Sequence, residues 1–340
     1  MTSALATRLL PRAALLAAVP LLVVFLPKAF NDYFNFRLAF VGIYFIAIVG
    51  LNVLTGYSGQ ISLGHGAFMC FGAYTTAILS SNYDVGEYWT IPVAGLLTGV
   101  FGFLFGLPAL RLSGVYLALA TFGLATSIVL VAKRFEGFTG GGQGKTVSLP
   151  SSPIGGLTTN QWLSYLTWAI AAVMFGLAWL LLRGRLGRAF RAVRDAPIAA
   201  VSSGVNLARY KTLAFGIAAA YAGVAGSLLA IAISYVNPDT FPVSLSILLL
   251  TGAVLGGLGA LEGMLFGAAF IQFAPNLAES ISKTLNYNEA TIQPTVFYGA
   301  ILLAVLFVLP TGAAGLIQHL RSTLAPRLAP RAAEWKDPAA

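Results

Sequence analysis

Ten long apolar runs, none with an Asp or Glu near its middle, constrain this chain more than any other feature of its sequence. They lie near residues 13–26, 38–54, 66–80, 91–109, 114–132, 162–182, 212–234, 243–258, 262–277 and 293–310. About 20 apolar residues cross a bilayer as a helix, which satisfies its own backbone groups in lipid. Several runs fall short of that length, so tilted, broken or partly spanning helices are expected among them. The runs do not alternate polar with apolar, which excludes a β-barrel. Soluble domains carry roughly 25% charged residues, whereas here 9% are charged and 58% hydrophobic. The expected fold class is an all-α polytopic membrane protein of about ten transmembrane or partly spanning helices.

Charge sets the orientation. With the N-terminus inside and ten crossings, fourteen of the twenty basic residues fall on the cytoplasmic side, seven of them between Arg183 and Lys211. Seven of the eleven acids fall on the opposite side. The positive-inside rule therefore places both termini in the cytoplasm. The first span follows Arg8 and Arg12 without a convincing cleavage site and reads as an uncleaved helix. The net charge of +9 is then topological, and no basic face interleaved with aromatics on a soluble domain suggests nucleic acid. The organisation expected is a cytoplasmic N-terminus over 1–12, a membrane domain over 13–315 and a cytoplasmic, partly disordered tail over 316–340.

The most unusual stretch is LTGYSGQISLGHGAFMCFGAY, Leu54 to Tyr74. It interrupts two apolar runs with Ser58, Gln60, Ser62 and His65, and five glycines lie between Gly56 and Gly72. Irregular backbone at membrane depth is tolerated only against protein or a water-filled cavity. Such breaks mark translocation pathways, although a glycine-rich turn between close-packed helices gives the same composition. Ser113, Tyr116 and Thr121 open the span after LRLSG, and Tyr116 also suits an interfacial anchor. Glu262 is the one acid in LGGLGALEG, near the cytoplasmic end. Cys70 is the single cysteine and the two histidines, His65 and His319, lie far apart, so neither a disulfide, a metal centre nor any cofactor is expected.

Two loops exceed the short connections. Residues 133–161 form an external polar loop with a short interfacial piece. Its TGGGQGKT, Thr139 to Thr146, matches a phosphate-binding loop at Gly144, Lys145 and Thr146. It lacks the first glycine and the strand-before, helix-after context that such a loop requires. Residues 183–211 form the main cytoplasmic loop. Phe190, Val193 and Pro197-Ile198 give it an apolar side, and Arg185, Arg188, Arg191 and Arg194 a basic one. Such a segment docks on a partner or lies on anionic headgroups.

Several segments together resemble the permease subunits of branched-chain amino acid ABC importers. They are GYSGQISLGHGAFMCFGAY at 56–74, LPALRLSGVYLALATFGLA at 107–125 and TGG at 139–141. GRAFRAVRDAPIAAVSSGVNLARYKTLAF at 187–215 and GGLGALEGMLFGAAF at 256–270 complete the set. The resemblance covers nearly the whole of residues 35–315. It implies an ABC importer permease fold with broken helices, in the bacterial inner membrane, and no catalytic residues. The implied partners are a homologous second permease, two cytoplasmic ATPases and a periplasmic binding protein. Ser58, Gln60, Ser62, His65, Tyr116 and Thr121 become the candidate substrate pathway. Arg188, Arg191, Arg194, Asp195, Ala199, Ala200 and Gly204 become the candidate ATPase-coupling loop. Branched-chain or related small amino acids are the implied cargo, with urea or short amides as the alternative. A secondary transporter would want a midplane carboxylate for ion coupling, and a membrane enzyme converging acid–base groups; the sequence offers neither.

Overall fold

The computed structural model describes residues 31–112, 114–147, 156–284, 294–309 and 311–316. The first apolar run at 13–26, the N-terminal segment 1–12, Ser113, His319 and the tail beyond residue 316 lie outside the described residues. The other nine runs each coincide with a helix. These are α1 (Asp32–Asn52), α2 (His65–Tyr83), α3 (Glu87–Ala109), α4 (Val115–Arg134), α6 (Thr159–Arg183), α9 (Leu207–Ile233), α10 (Val243–Gly256), α11 (Met264–Thr284) and α12 (Pro294–Val308). Three short helices sit in the connections: α5 (Glu136–Thr139), α7 (Arg185–Asp195) and α8 (Pro197–Ser202). The only strands among the described residues, β1 (Lys145–Thr146) and β2 (Tyr235–Val236), pair antiparallel.

Six stretches among the described residues are long and apolar enough to cross a membrane: Asp32–Tyr57, Glu87–Ala109, Val115–Arg134, Thr159–Arg183, Leu207–Ile233 and Pro238–Gly256. The chain is an all-α, multi-pass membrane protein.

Polar contacts gather at two opposite ends of the bundle. At one, Asn160 and Thr158 donate to Asp32 at 2.6 and 2.5 Å, Trp162 donates to Tyr88, and Lys133 pairs with Asp239 at 2.8 Å. At the other, Asn52 meets Gly259 and Ala260, Arg194 meets Gly56, and Gln60 meets Lys211. Successive connections alternate between these ends, the order required by a chain that crosses back and forth. Local sequence signals start the helices. Thr158 and Gln161 form a reciprocal capping box on α6, and the Asn206 side chain accepts from the Arg209 N–H at the head of α9.

α1 and α9 form the centre, whereas α4 and α6 expose most of their surface. Lipid tails are as apolar as leucine, so helices in a membrane gain little from burying leucine against leucine and associate through close contact. Small residues supply that contact here. Gly223 on α9 faces Gly72 on α2, and Gly226 on α9 faces the Met69 backbone. Gly95, Gly99 and Gly102 on α3 receive Val224, Ala220 and Ala219 of α9. The Thr76 hydroxyl donates to Ser227 at 2.6 Å within the same seam. On the other flank Gly252 and Gly256 of α10 lie against Gly267 and Gly263 beside α11.

The TGGGQGKT loop does not take a phosphate-binding shape. Lys145 and Thr146 form strand β1 rather than a helix start, and the Lys145 amine donates to Ser81 and Asn82 at 3.2 and 2.5 Å. The loop closes the Asp32 end, where the Tyr235 hydroxyl also donates to the Gln143 carbonyl.

Candidate functional site

The interruption after α1 begins as one turn of π-helix, Val53–Tyr57, and continues as irregular chain to Gly64. π-turns inside helices concentrate at functional sites because the extra residue releases backbone groups from the regular ladder. Those groups are satisfied locally. The Ser58 and Gln60 N–H groups donate to the Val53 and Leu54 carbonyls, and the Thr55 hydroxyl donates to the Gln60 carbonyl at 3.1 Å. Gly59 turns the chain at φ +72°, a conformation a side chain resists.

The chain then runs back up beside α1. His65 Nε2 lies 2.9 Å from the Ala47 carbonyl, a turn and more above Asn52. The Gly66 N–H donates to Ser246 Oγ of α10 at 2.9 Å, and the Leu63 N–H to Thr121 Oγ1 of α4 at 2.9 Å. α2 therefore starts inside the bundle, and Leu54–Gly64 is a re-entrant element.

Of the six candidate pathway residues, the fold brings five together. Ser58, Gln60, Ser62, His65 and Thr121 are all buried within the chain. The Gln60 amide donates to Ser58 Oγ at 2.6 Å and to the Lys211 carbonyl at 3.3 Å, and Ser62 Oγ accepts from the Gly64 N–H. His65 Nδ1 has no hydrogen-bonding partner among the described residues. Tyr116 stands apart, 72% exposed on the outside of α4.

The candidate coupling loop folds as α7, α8 and a turn at Gly204, whose φ is +81°. α7 buries Gly187, Ala189, Phe190 and Val193 against the bundle, with the Phe190 ring edge-on to Tyr210. Arg188, Asp195, Ala199 and Gly204 face outward, Arg191 is half-buried and Ala200 is buried. Ile198 projects 85% exposed, with Val201 beside it. Arg194 connects this loop to the break. Its Nη1 donates to the Gly56 carbonyl at 2.5 Å, and its Nε to Asp195 Oδ1 at 2.7 Å. The guanidinium holds the Asp195 carboxyl below its usual range, chiefly through that hydrogen bond. Asn52 fastens the same turn of chain from the other side. Its Nδ2 donates to the Ala260 carbonyl and its Oδ1 accepts from the Gly259 N–H, both at 2.8 Å.

Sequence reasoning missed a second cleft, mostly apolar with a few hydroxyls. A cleft of about 500 Å³ opens beside α10 and α12, lined in part by Thr240, Ser244, Thr251 and Tyr298. α10 has 14 residues, a rise of about 21 Å that is short of a bilayer core. Ser244, Ile247, Thr251 and Val254 follow one another at helical spacing along its outer side. The signal was available as hydroxyls repeating in an otherwise apolar run.

Comparison with known proteins agrees with this architecture. A family model described as branched-chain amino acid transport system / permease component matches residues 34–309. The chain is 34% identical over 266 residues to the Escherichia coli K12 protein named high-affinity branched-chain amino acid transport system permease protein LivM, covering 71% of this chain and 62% of that protein. The chain thus spans somewhat under two thirds of the LivM relatives it matches. It is 26% identical over 298 residues to Escherichia coli K12 LivH, covering 80% and 91% respectively. It is also 28% identical over 225 residues to the Klebsiella pneumoniae autoinducer 2 import system permease protein LsrC, covering 62% and 61%. No solved structure matches the chain. With its described helices almost entirely inside the matched segment, the chain belongs to the branched-chain amino acid transport system permease family.

Proposed function

We propose that this chain is the membrane permease subunit of an ATP-driven importer for branched-chain or related small amino acids. A periplasmic binding protein delivers the substrate at the Asp32 end, and a homologous second permease completes the pathway. Two separate ATPases act from the Arg194 end, which is cytoplasmic, as are both termini, in a bacterial inner membrane. The membrane domain forms one unit over 13–315, with 183–211 as its coupling loop.

The observation that carries this reading is the Arg194 bridge. An exposed apolar knob, Ile198 and Val201 on α8, directly follows α7, whose Arg194 grips the backbone of a buried polar break. A push on the knob is thereby transmitted to Gly56 and the hydrogen-bonded cluster behind it. Lysine cannot reproduce the contact, because one planar fork serves Gly56 and Asp195 together. In proteoliposomes containing both permeases, the ATPases and the binding protein, Arg194→Lys is expected to retain ATPase binding yet lower uptake. Ile198→Asp is expected to lose the ATPases on purification. Normal uptake by Arg194→Lys would overturn the coupling role, and uptake by this chain alone on an ion gradient would overturn the whole reading.

In this reading Ser58, Gln60, Ser62, His65 and Thr121 line the pathway once the break opens, Tyr116 lies at its edge, and the α10 cleft forms the wall nearest the second permease. Ser58→Ala with Gln60→Ala removes the amide–hydroxyl contact and the tie to Lys211. At roughly 0.6–1 kcal/mol each, the two bonds correspond to about tenfold in rate. Uptake of labelled leucine is expected to fall by that factor while the assembled complex still purifies. Unchanged uptake would remove these side chains from the pathway.

A further inference from the structure

A cleft of about 390 Å³ opens at the Arg194 end, where the π segment, the end of α6, α7 and the α10–α11 turn converge. Tyr57, Trp179, Arg183, Arg191 and Glu262 line it. The Arg183 guanidinium lies 4.0 Å from the Trp179 ring centroid, and that of Arg191 lies 6.0 Å from the Tyr57 ring. A guanidinium stacked on a ring keeps its in-plane N–H groups for a bidentate contact with phosphate oxygens. Tryptophan and tyrosine are the side chains that settle at headgroup depth.

The outside of α6 leads into this cleft. Val173, Leu177 and Leu180 are 62%, 53% and 67% exposed, and their spacing places them on one face that ends at Arg183. A hydrocarbon strip capped by a stacked arginine fits a lipid better than a soluble anion, and basic pockets between membrane helices take lipid headgroups. We propose that this cleft binds one phospholipid, with its phosphate between Arg183 and Arg191 and an acyl chain along α6. The lipid then bridges α6, the arginine-bearing α7 and the turn that carries Tyr57.

The test uses the full chain, purified in detergent, stripped of lipid and titrated with phosphatidylethanolamine while bound lipid is read by native mass spectrometry. One lipid is expected to persist on the unaltered chain. Charge-assisted hydrogen bonds contribute about 1.5–3 kcal/mol, and 1.4 kcal/mol is tenfold in affinity, so Arg183→Gln with Arg191→Gln is expected to weaken retention about tenfold or more. Arg185→Gln, exposed on α7 outside the cleft, is expected to leave retention unchanged. Arg183→Gln alone reads the same site if loss of Arg191 disturbs α7. Diacylglycerol with the same acyl chains is expected not to be retained. Equal retention by the double variant and the unaltered chain, equal retention of diacylglycerol, or displacement by inorganic phosphate alone would each overturn the proposal.

Discussion

Gly226→Val is expected to abolish recovery of monodisperse protein, whatever transport assay follows. A Cβ at Gly226 would stand 2.0 Å from the Met69 carbonyl oxygen and 2.9 Å from its Cα. Backbone cannot rotate aside as a flexible side chain would, so α2 and α9 must separate. Overpacking a close core contact costs typically 1–3 kcal/mol and occasionally more. Here the cost falls at the upper end, because α9 is held at backbone distance at both Gly223 and Gly226. Gly223 meets Thr98 and Ala94 on α3, and a Cβ at Gly72 would lie 2.3 Å from the Gly223 carbonyl oxygen. Separation at Gly226 also breaks the Thr76–Ser227 hydrogen bond. Fluorescence-detected size-exclusion chromatography of tagged protein measures the outcome. Gly123→Val is the control, since a Cβ there meets nothing within 4 Å; equal profiles for the two variants would show that the seam tolerates separation.

Asn52→Leu is expected to destabilise the chain by about 2 kcal/mol and to impair coupling more than stability. Asn52 is fully buried at the end of α1 and satisfies one backbone donor and one backbone acceptor of the α10–α11 turn. Leaving a buried polar group unpaired costs roughly 1–3 kcal/mol. Two such groups set an upper value near 6 kcal/mol by the same principle, but Gly259 and Ala260 are only half-buried and water replaces part of the loss. Asn52→Asp keeps the acceptor for Gly259 yet turns an oxygen toward the Ala260 carbonyl, so it is expected to be no better than leucine. The lost tie frees the turn opposite Arg194, whose Nη1 also lies 3.0 Å from where a Gly259 Cβ would stand. Thermal unfolding in detergent, followed by tryptophan fluorescence, measures the stability. Unfolding midpoints matching the unaltered protein for both variants would show that Asn52 does not hold the turn.

Much of the helical framework was legible from the chain alone. Nine of the apolar runs match helices, and short ones such as 243–258 correspond to a short helix that ends at Gly256. The break was legible as composition, and glycine at 59 and 204 marked the positions where the backbone needs positive φ. The partners of Ser58, Gln60 and His65 were not. A hydroxyl or amide between two apolar runs reads as pathway lining or as a packing contact. Only the folded chain shows that Gln60 bonds Ser58 and the Lys211 carbonyl, and that His65 Nε2 meets the Ala47 carbonyl. The α10 cleft was passed over because Tyr298 lies far in sequence from Ser244 and Thr251 and shares a cleft with them only in the folded chain.

Sequence by itself determined that the chain lives in a bilayer, where its apolar helices run among the described residues, and where its backbone departs from helix. Hydrocarbon admits only long self-satisfied helices, and that requirement is written residue by residue along the chain. Tertiary structure alone decided that Arg194 reaches Gly56 across 138 positions and Asn52 reaches Gly259 across 207. It also decided that glycines scattered over α2, α3 and α9 form one seam. Contacts of that separation depend on how helices pack, and packing in a membrane is settled by a few backbone approaches and hydrogen bonds, which no local pattern records.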